Sequence, residues 1–228
     1  MSSRVVHILT GNLLNSRSSQ LNSLQGSKKI DDIVKYIIDT NDDSLDIIGK
    51  VELHFHKIER SDLDITVFIK TDLDLDNLKE SLDFFKKTLN LERIDTVVLV
   101  CDIGNLYNEI QHDMSDFMKL YSYLINSKEI DSVGVFEFSP QQLDYLKDNS
   151  SYPKYNFIQL EYCCVPPQML VKHCVANDIE ILSMDQFEIE HPQELDLSRV
   201  ISSIKYVMNI KSRSVCTHQG YIIKAEKK

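Results

Sequence analysis

The chain has 228 residues, of which 43% are hydrophobic and 26% charged, so it can bury a core without disulfide staples. Its net charge of −10 works against wrapping a phosphate backbone, so no nucleic-acid partner is expected. Only 6 glycines and 5 prolines exclude collagen-like and Pro-rich readings. The five cysteines include no CxxC pair, which argues against structural zinc. The start lacks the pattern of a secretory leader, and no apolar run nears the roughly 20 residues that span a bilayer. The expectation is a cytoplasmic protein with reduced thiols, no membrane partner and one domain over residues 1–228.

In chain order, Val5–Leu9 reads as a strand and Asn15–Ser27 as a polar loop. Lys28–Asp39 is a helix with Ile30, Ile33, Val34 and Ile37 inward. Leu45–Ile48 reads either as a short strand or as the start of a helix carrying Ile48, Val51, Phe55 and Ile58. Strand and helix patterns then alternate. Ile65–Ile69 is a strand, Asp76–Leu89 a helix, Thr96–Cys101 a strand and Asp113–Asn126 a helix. Ser132–Phe136 is a strand, and Ser139-Pro140 opens a helix with an N-cap and a proline at its first position. Asn156–Leu160 is a strand, Pro166-Pro167 opens a helix, and Ile179–Leu182 is a strand. Leu197–Ile204 shows helical spacing, Tyr206–Ile210 reads as a strand, and Gly220–Ala225 as a last extended segment.

Repeated βα units argue for a parallel sheet with helices outside. With about eight strands, the expectation is a reduced (β/α)₈ barrel, and an open doubly wound sheet is the competitor. In a barrel the working residues sit at the C-terminal ends of strands. Those positions hold Lys70, Thr71 and Asp72, then Cys101 and Asp102, Glu137, Gln159 and Glu161, Ser183 and Asp185, and Lys211 and Ser212. They form no acid–base constellation, and solvated loop residues are the plainer reading. GxGxxG, GxxxxGK[ST] and GxSxG are all absent. His54 and His56 would share a face only on a strand, whereas the spacing around them is helical, so no metal site is expected. Cys163-Cys164 follows a strand; it reads as two small side chains packing, or as a thiol that pairs with another protein.

Five segments in order carry a resemblance: Thr10–Asn15 (TGNLLN), Cys163–Pro167 (CCVPP), Asp178–Leu182 (DIEIL), Ile210–Arg213 (IKSR) and Gly220–Ile222 (GYI). Together they resemble the modifier (regulatory) subunit of glutamate–cysteine ligase, a divergent relative of the aldo-keto reductases. The match covers both ends of the chain, while residues 20–95 agree only in element pattern. The resemblance implies an aldo-keto reductase-like barrel and a heterodimer with the catalytic subunit of that ligase. It also implies a part in glutathione biosynthesis, tuning glutamate affinity and feedback inhibition by glutathione.

Aldo-keto reductases use a tyrosine acid, an aspartate and lysine that tune it, and a histidine that orients the carbonyl. The resemblance puts the tyrosine between the second and third strands, yet none stands between Tyr36 and Tyr107. Cys101 takes the histidine's place, and Asp72 the lysine's, with Lys70 nearby. Phe136-Glu137, Phe157 and Met184 replace contacts to the nicotinamide. Lys211-Ser212 resembles the pair that meets the phosphate of NADPH, with Thr217 near the position of a following arginine and Arg213 a substitute for it. The resemblance thus implies a pseudoenzyme with no catalytic residues and no required cofactor. The alternatives are a small NADPH-dependent reductase and an NADPH-binding pseudoenzyme using Lys211 and Ser212. It also allows an intersubunit disulfide through Cys163 or Cys164. On a non-reducing gel of the complex, a crosslinked band that persists in both Cys163→Ser and Cys164→Ser removes these two thiols from consideration.

Overall fold

A computed structural model describes residues 4–15, 30–41, 46–51, 58–100, 110–159, 165–184 and 197–227. Cys101, Asp102, His54, His56, Glu161, Cys163, Cys164 and Asp185 lie outside these described residues. The elements run β1 (Arg4–Leu9), α1 (Ile30–Thr40), β2 (Ile47–Gly49), β3 (Leu63–Thr71), α2 (Leu75–Leu89), β4 (Ile94–Val100) and α3 (Ile110–Asn126). They continue as β5 (Ile130–Phe136), α4 (Pro140–Asn149), β6 (Tyr155–Gln159), α5 (Gln168–Ala176), β7 (Glu180–Met184), β8 (Leu197–Ile210) and β9 (Val215–Lys227). No described helix is long and apolar enough to cross a membrane.

The helices form where the sequence spacing puts them. Helix α2 starts at Asp74, whose side chain accepts from Asn77 N at 2.8 Å, and buries Leu78, Leu82, Phe85 and Leu89. It ends at Asn90 in the left-handed region, a common helix stop. Helix α3 buries Phe117, Leu120, Tyr121 and Leu124 on the expected stripe. Helix α4 carries the full capping box: Gln142 N donates to Ser139 Oγ, and Ser139 N donates to Gln142 Oε1. Each large apolar side chain buried this way contributes about 1.5–3 kcal/mol.

All nine strands join one mixed sheet in the order β2-β1-β9-β8-β3-β4-β5-β6-β7. Strands β3 to β7 are parallel, as the βα repeat requires. Strand β8 runs antiparallel to both β3 and β9, and β9 antiparallel to β1. This α/β sheet differs from the expected eight-stranded parallel barrel. Among the described residues no pairing joins β2 to β7, the two ends of the strand order.

The difference has a local cause. Leu197–Ile204, expected as a helix, is the first half of β8. Its apolar residues Leu197, Val200, Ile201 and Ile204 do fall at helical spacing. Register shifts between Leu197 and Arg199, and between Val200 and Ser202, break the strict alternation and give a strand that helical look. Without a helix there, β8 and β9 are joined by the tight turn Lys211–Ser214 and must pair antiparallel.

One face of the sheet packs against α2 to α5 through Ile65, Val67, Ile69, Val97, Leu99, Val133 and Val135. On the other face, Phe68, Val98, Val100 and Phe157 join a second core with α1 residues Ile33, Val34 and Ile37. This second face is concave. Three strand spacings separate β3 from β6, about 14 Å in a flat sheet. Yet the Phe68 and Phe157 rings meet edge to face with centroids 4.9 Å apart. The buried Asn156 locks the start of β6 to the β5–α4 connection, donating to Phe138 O at 2.8 Å and accepting from Phe138 N at 3.2 Å. Asn156→Leu leaves both Phe138 backbone groups without this partner, and we expect a loss of about 1–3 kcal/mol for each orphaned group. Urea unfolding checks this as a lower midpoint at unchanged slope.

Candidate functional site

At the C-terminal ends of the parallel strands, the described residues do not assemble a reactive centre. Asp72 is occupied structurally. It pairs with Arg199 of β8 and accepts from Thr71 Oγ1 and Asn77 Nδ2, each at 3.2 Å. Next to it, Lys224 of β9 donates to Glu80 Oε2 at 2.6 Å and Asn77 Oδ1 at 3.0 Å, and Ser81 bonds Ser202 at 2.6 Å. These contacts tie α2 onto β8 and β9. Glu137 is exposed in the left-handed region, with its N–H given to Phe157 O at 2.7 Å. Gln159 and Ser183 are exposed. Among the described residues no group of three or more His, Cys, Asp or Glu is placed to hold a metal ion.

Two motifs that are far apart in sequence meet. Thr10 Oγ1 accepts from Tyr221 N at 2.7 Å. Asn12 donates to Thr217 O at 3.0 Å and accepts from Gln219 N at 3.2 Å. Tyr206 Oη donates to Gly11 O at 3.0 Å, and burial pushes that phenol's pKa up. The TGN and GYI segments therefore anchor β1 to the β8–β9 hairpin, which is a structural task. Gly220 has to be glycine: a Cβ there would run into the Gly11 carbonyl and come within 2.7 Å of Tyr206 Cζ. Gly220→Ala should cost about 1–3 kcal/mol or more through overpacking, read as a lower melting temperature.

Lys211 and Ser212 sit in the β8–β9 turn, at the N-terminal ends of β3 and β4. Lys211 N donates to Asp62 O at 2.9 Å, and Lys211 Nζ lies 3.4 Å from Asp95 Oδ1. The same Asp95 accepts from Arg60 at 2.7 Å and from Ile65 N at 2.9 Å. A cavity of about 830 Å³ opens here, between Leu63, Leu89, Leu91 and the rim of Arg60, Arg93, Asp95 and Asp131. Its rim charges already neutralise each other, Arg60 on Asp95 and Arg93 on Asp131. Among the described C-terminal cations, Lys205, Lys224 and Lys227 are buried and so add nothing to a surface patch.

A second cavity, of about 470 Å³, lies on the concave face. Strands β3, β6, β7, β8 and β9 line it with Asp64, Thr66, Phe68, Phe157, Ser183, Met184, Lys205, Val207, Asn209 and Gln219, among others. Phe157 and Met184 are both in its wall. Sequence motifs missed Lys205 and Asn209. The available signal was two polar residues recurring at even spacing in the apolar strand IKYVMNI. Burial first, then the Asp95 carboxylate, raises the pKa of Asp64, against Lys211, Arg60 and Lys154, which lower it.

No family profile matches the chain. Among solved structures, an aldose reductase from Giardia lamblia is 18% identical with a TM-score of 0.44, covering 54% of this chain and 46% of its own. An aldo-keto reductase from Brucella melitensis is 17% identical with a TM-score of 0.38, covering 66% and 51%. The matched region thus spans about half the length of these structures. Among curated proteins, the human glutamate–cysteine ligase regulatory subunit is 23% identical over 262 residues, covering 99% of this chain and 94% of its own length. The bovine protein of the same name is 24% identical over 191 residues, covering 75% and 69%.

The Asp64 shift makes a pH prediction. A raised folded-state pKa means the ionised form is disfavoured in the fold. The stabilising protonated state is kept at low pH and lost as pH rises through the folded pKa. Asp64→Asn should melt above the parent at pH 7, and the gain should vanish below about pH 4, where the aspartate is neutral in both states. Thermal melts across pH check both the sign and the window.

Proposed function

We propose that this chain is a non-catalytic regulatory subunit of glutamate–cysteine ligase. In this reading it binds the catalytic subunit as a heterodimer and tunes glutamate use and glutathione inhibition. The observation that carries the reading is the similarity to the human regulatory subunit over 99% of the chain, which takes in both termini. The residue set fits the same reading. The stretch between Tyr36 and Tyr107 offers no tyrosine as a proton donor. The lysine position holds Asp72, engaged by Arg199, Thr71 and Asn77.

Regulation by a bound subunit requires differential affinity: this chain must bind the competent conformation of its partner more tightly than the other. Such coupling is typically about 1–3 kcal/mol, or roughly 5–150-fold in affinity. An NADPH-dependent reductase has less support, since Lys211 reaches Asp95 in the β8–β9 turn and the wall positions Phe157 and Met184 offer no carboxamide partner.

Co-expression with the catalytic subunit tests the proposal. We expect the two chains to co-purify and the KM for glutamate to fall at least several-fold relative to the catalytic subunit alone. Separate elution with an unchanged KM overturns it. Turnover of a carbonyl substrate with NADPH above background would install the reductase in its place.

A further inference from the structure

Strand β7 ends the sheet on one side, and among the described residues no strand pairs with its outer edge. The backbone fixes which groups face outward. Glu180 N donates to Lys154 O at 3.0 Å, so Glu180 turns its main-chain groups toward β6. Along a strand the main-chain groups alternate sides. The register of Glu180, Leu182 and Met184 on Tyr155, Phe157 and Gln159 therefore leaves the N–H and C=O of Ile181 and Ser183 pointing away from the sheet. Such a row is a template for another extended strand.

The usual devices that keep an edge from pairing are missing from β7. It holds no proline, lysine or arginine, and it pairs with β6 through all five residues without a bulge. The opposite edge of the sheet is blunted by its length, because β2 has only three residues. Apolar surface also gathers at the β7 end. Val165, Met169, Val175 and Leu182 are four of the eight large apolar side chains exposed among the described residues, and all lie in α5, in β7 or just before them.

The strand itself indicates what covers this edge, because Glu180-Ile181-Leu182-Ser183-Met184 is complementary to its own two-fold copy. With the axis at Leu182, an antiparallel copy sets Ile181 opposite Ser183 on each side of the axis. Their outward N–H and C=O groups then form hydrogen-bonded pairs. Leu182 meets Leu182 of the second copy as the intervening pair, with Cα atoms about 4.5 Å apart and the side chains in contact. Glu180 falls opposite Met184, so the only charge of the strand does not meet its like. We propose that this chain self-associates through β7, as an antiparallel two-fold dimer whose sheet continues from one copy into the other. A five-residue edge with a few apolar side chains is at the small end of specific interfaces, so the dimer is concentration-dependent. The inference stands on the strand edge and does not rest on the function proposed above.

Sedimentation equilibrium of the full chain alone, with thiols kept reduced, tests it. The weight-average mass is expected to rise toward that of two chains between low micromolar and several hundred micromolar. Ser183→Pro removes an outward N–H and leaves the β6 ladder intact, so it should weaken association at least tenfold. Ser183→Ala keeps that N–H and should associate like the parent. Leu182→Lys sets two ammonium groups across the axis and should also weaken association at least tenfold. Circular dichroism establishes that each variant is folded. Hydrogen exchange reads the same edge in the parent chain, whatever the variants do. The amides of Ile181 and Ser183 should be open in dilute protein and protected at high concentration. A chain that stays monomeric over this range, a dimer unchanged in folded Ser183→Pro, or a dimer that leaves these two amides open overturns the inference. A monomeric parent whose co-purification with the ligase catalytic subunit is lost in Ser183→Pro overturns it as well, since the edge then belongs to that partner.

Discussion

The ladder between β3 and β8 is the contact on which the rest of the structure depends. Nine consecutive residue pairs, from Leu63 with Ile210 to Thr71 with Ser202, join the two strands antiparallel. On one side of this seam lie the parallel βα repeats; on the other lies the antiparallel group β8, β9 and β1. Because each strand alternates faces, a slip by one residue would move Lys205 out of the concave wall and Ile204 out of the helix-covered core. The seam therefore sets the fold and the composition of the cavity at once.

The polar contacts outside the cavity serve this seam. Arg199 on Asp72, Lys224 on Glu80 and Asn77, and Ser81 on Ser202 hold α2 across the join at one end. Asp95 gathers Arg60, Lys211 and the Ile65 N–H at the other. A lysine buried as deeply as Lys224 is retained because its ammonium is hydrogen-bonded to a carboxylate and an amide. Among the described residues, the C-terminal end of β3, a place that carries chemistry in parallel barrels, is given over to holding the two halves together.

Two of the segments that carried the resemblance, Thr10–Asn15 and Gly220–Ile222, are architectural. Thr10, Gly11 and Asn12 close onto Thr217, Gln219, Gly220 and Tyr221, and Tyr206 reaches the Gly11 carbonyl from below. Such residues are constrained by backbone approach and by single hydrogen bonds. The Lys211-Ser212 pair was legible too, but its neighbours were not. A turn replaces a crossover there, and the lysine faces Asp95.

The sequence by itself determined the helices α1 to α4, the five parallel strands and the cap at Ser139, because these follow from local periodicity and hydrogen bonding within a few residues. It also shows no tyrosine between Tyr36 and Tyr107. Only the tertiary structure decided that Leu197–Ile204 is a strand, since bulges in its pairing with β9 imitate a helical repeat. It alone curled the sheet until Phe68 met Phe157 and brought Asp64 and Lys205 into one wall. Those relations join residues far apart in the sequence, and no local pattern encodes a contact made only when distant strands pair.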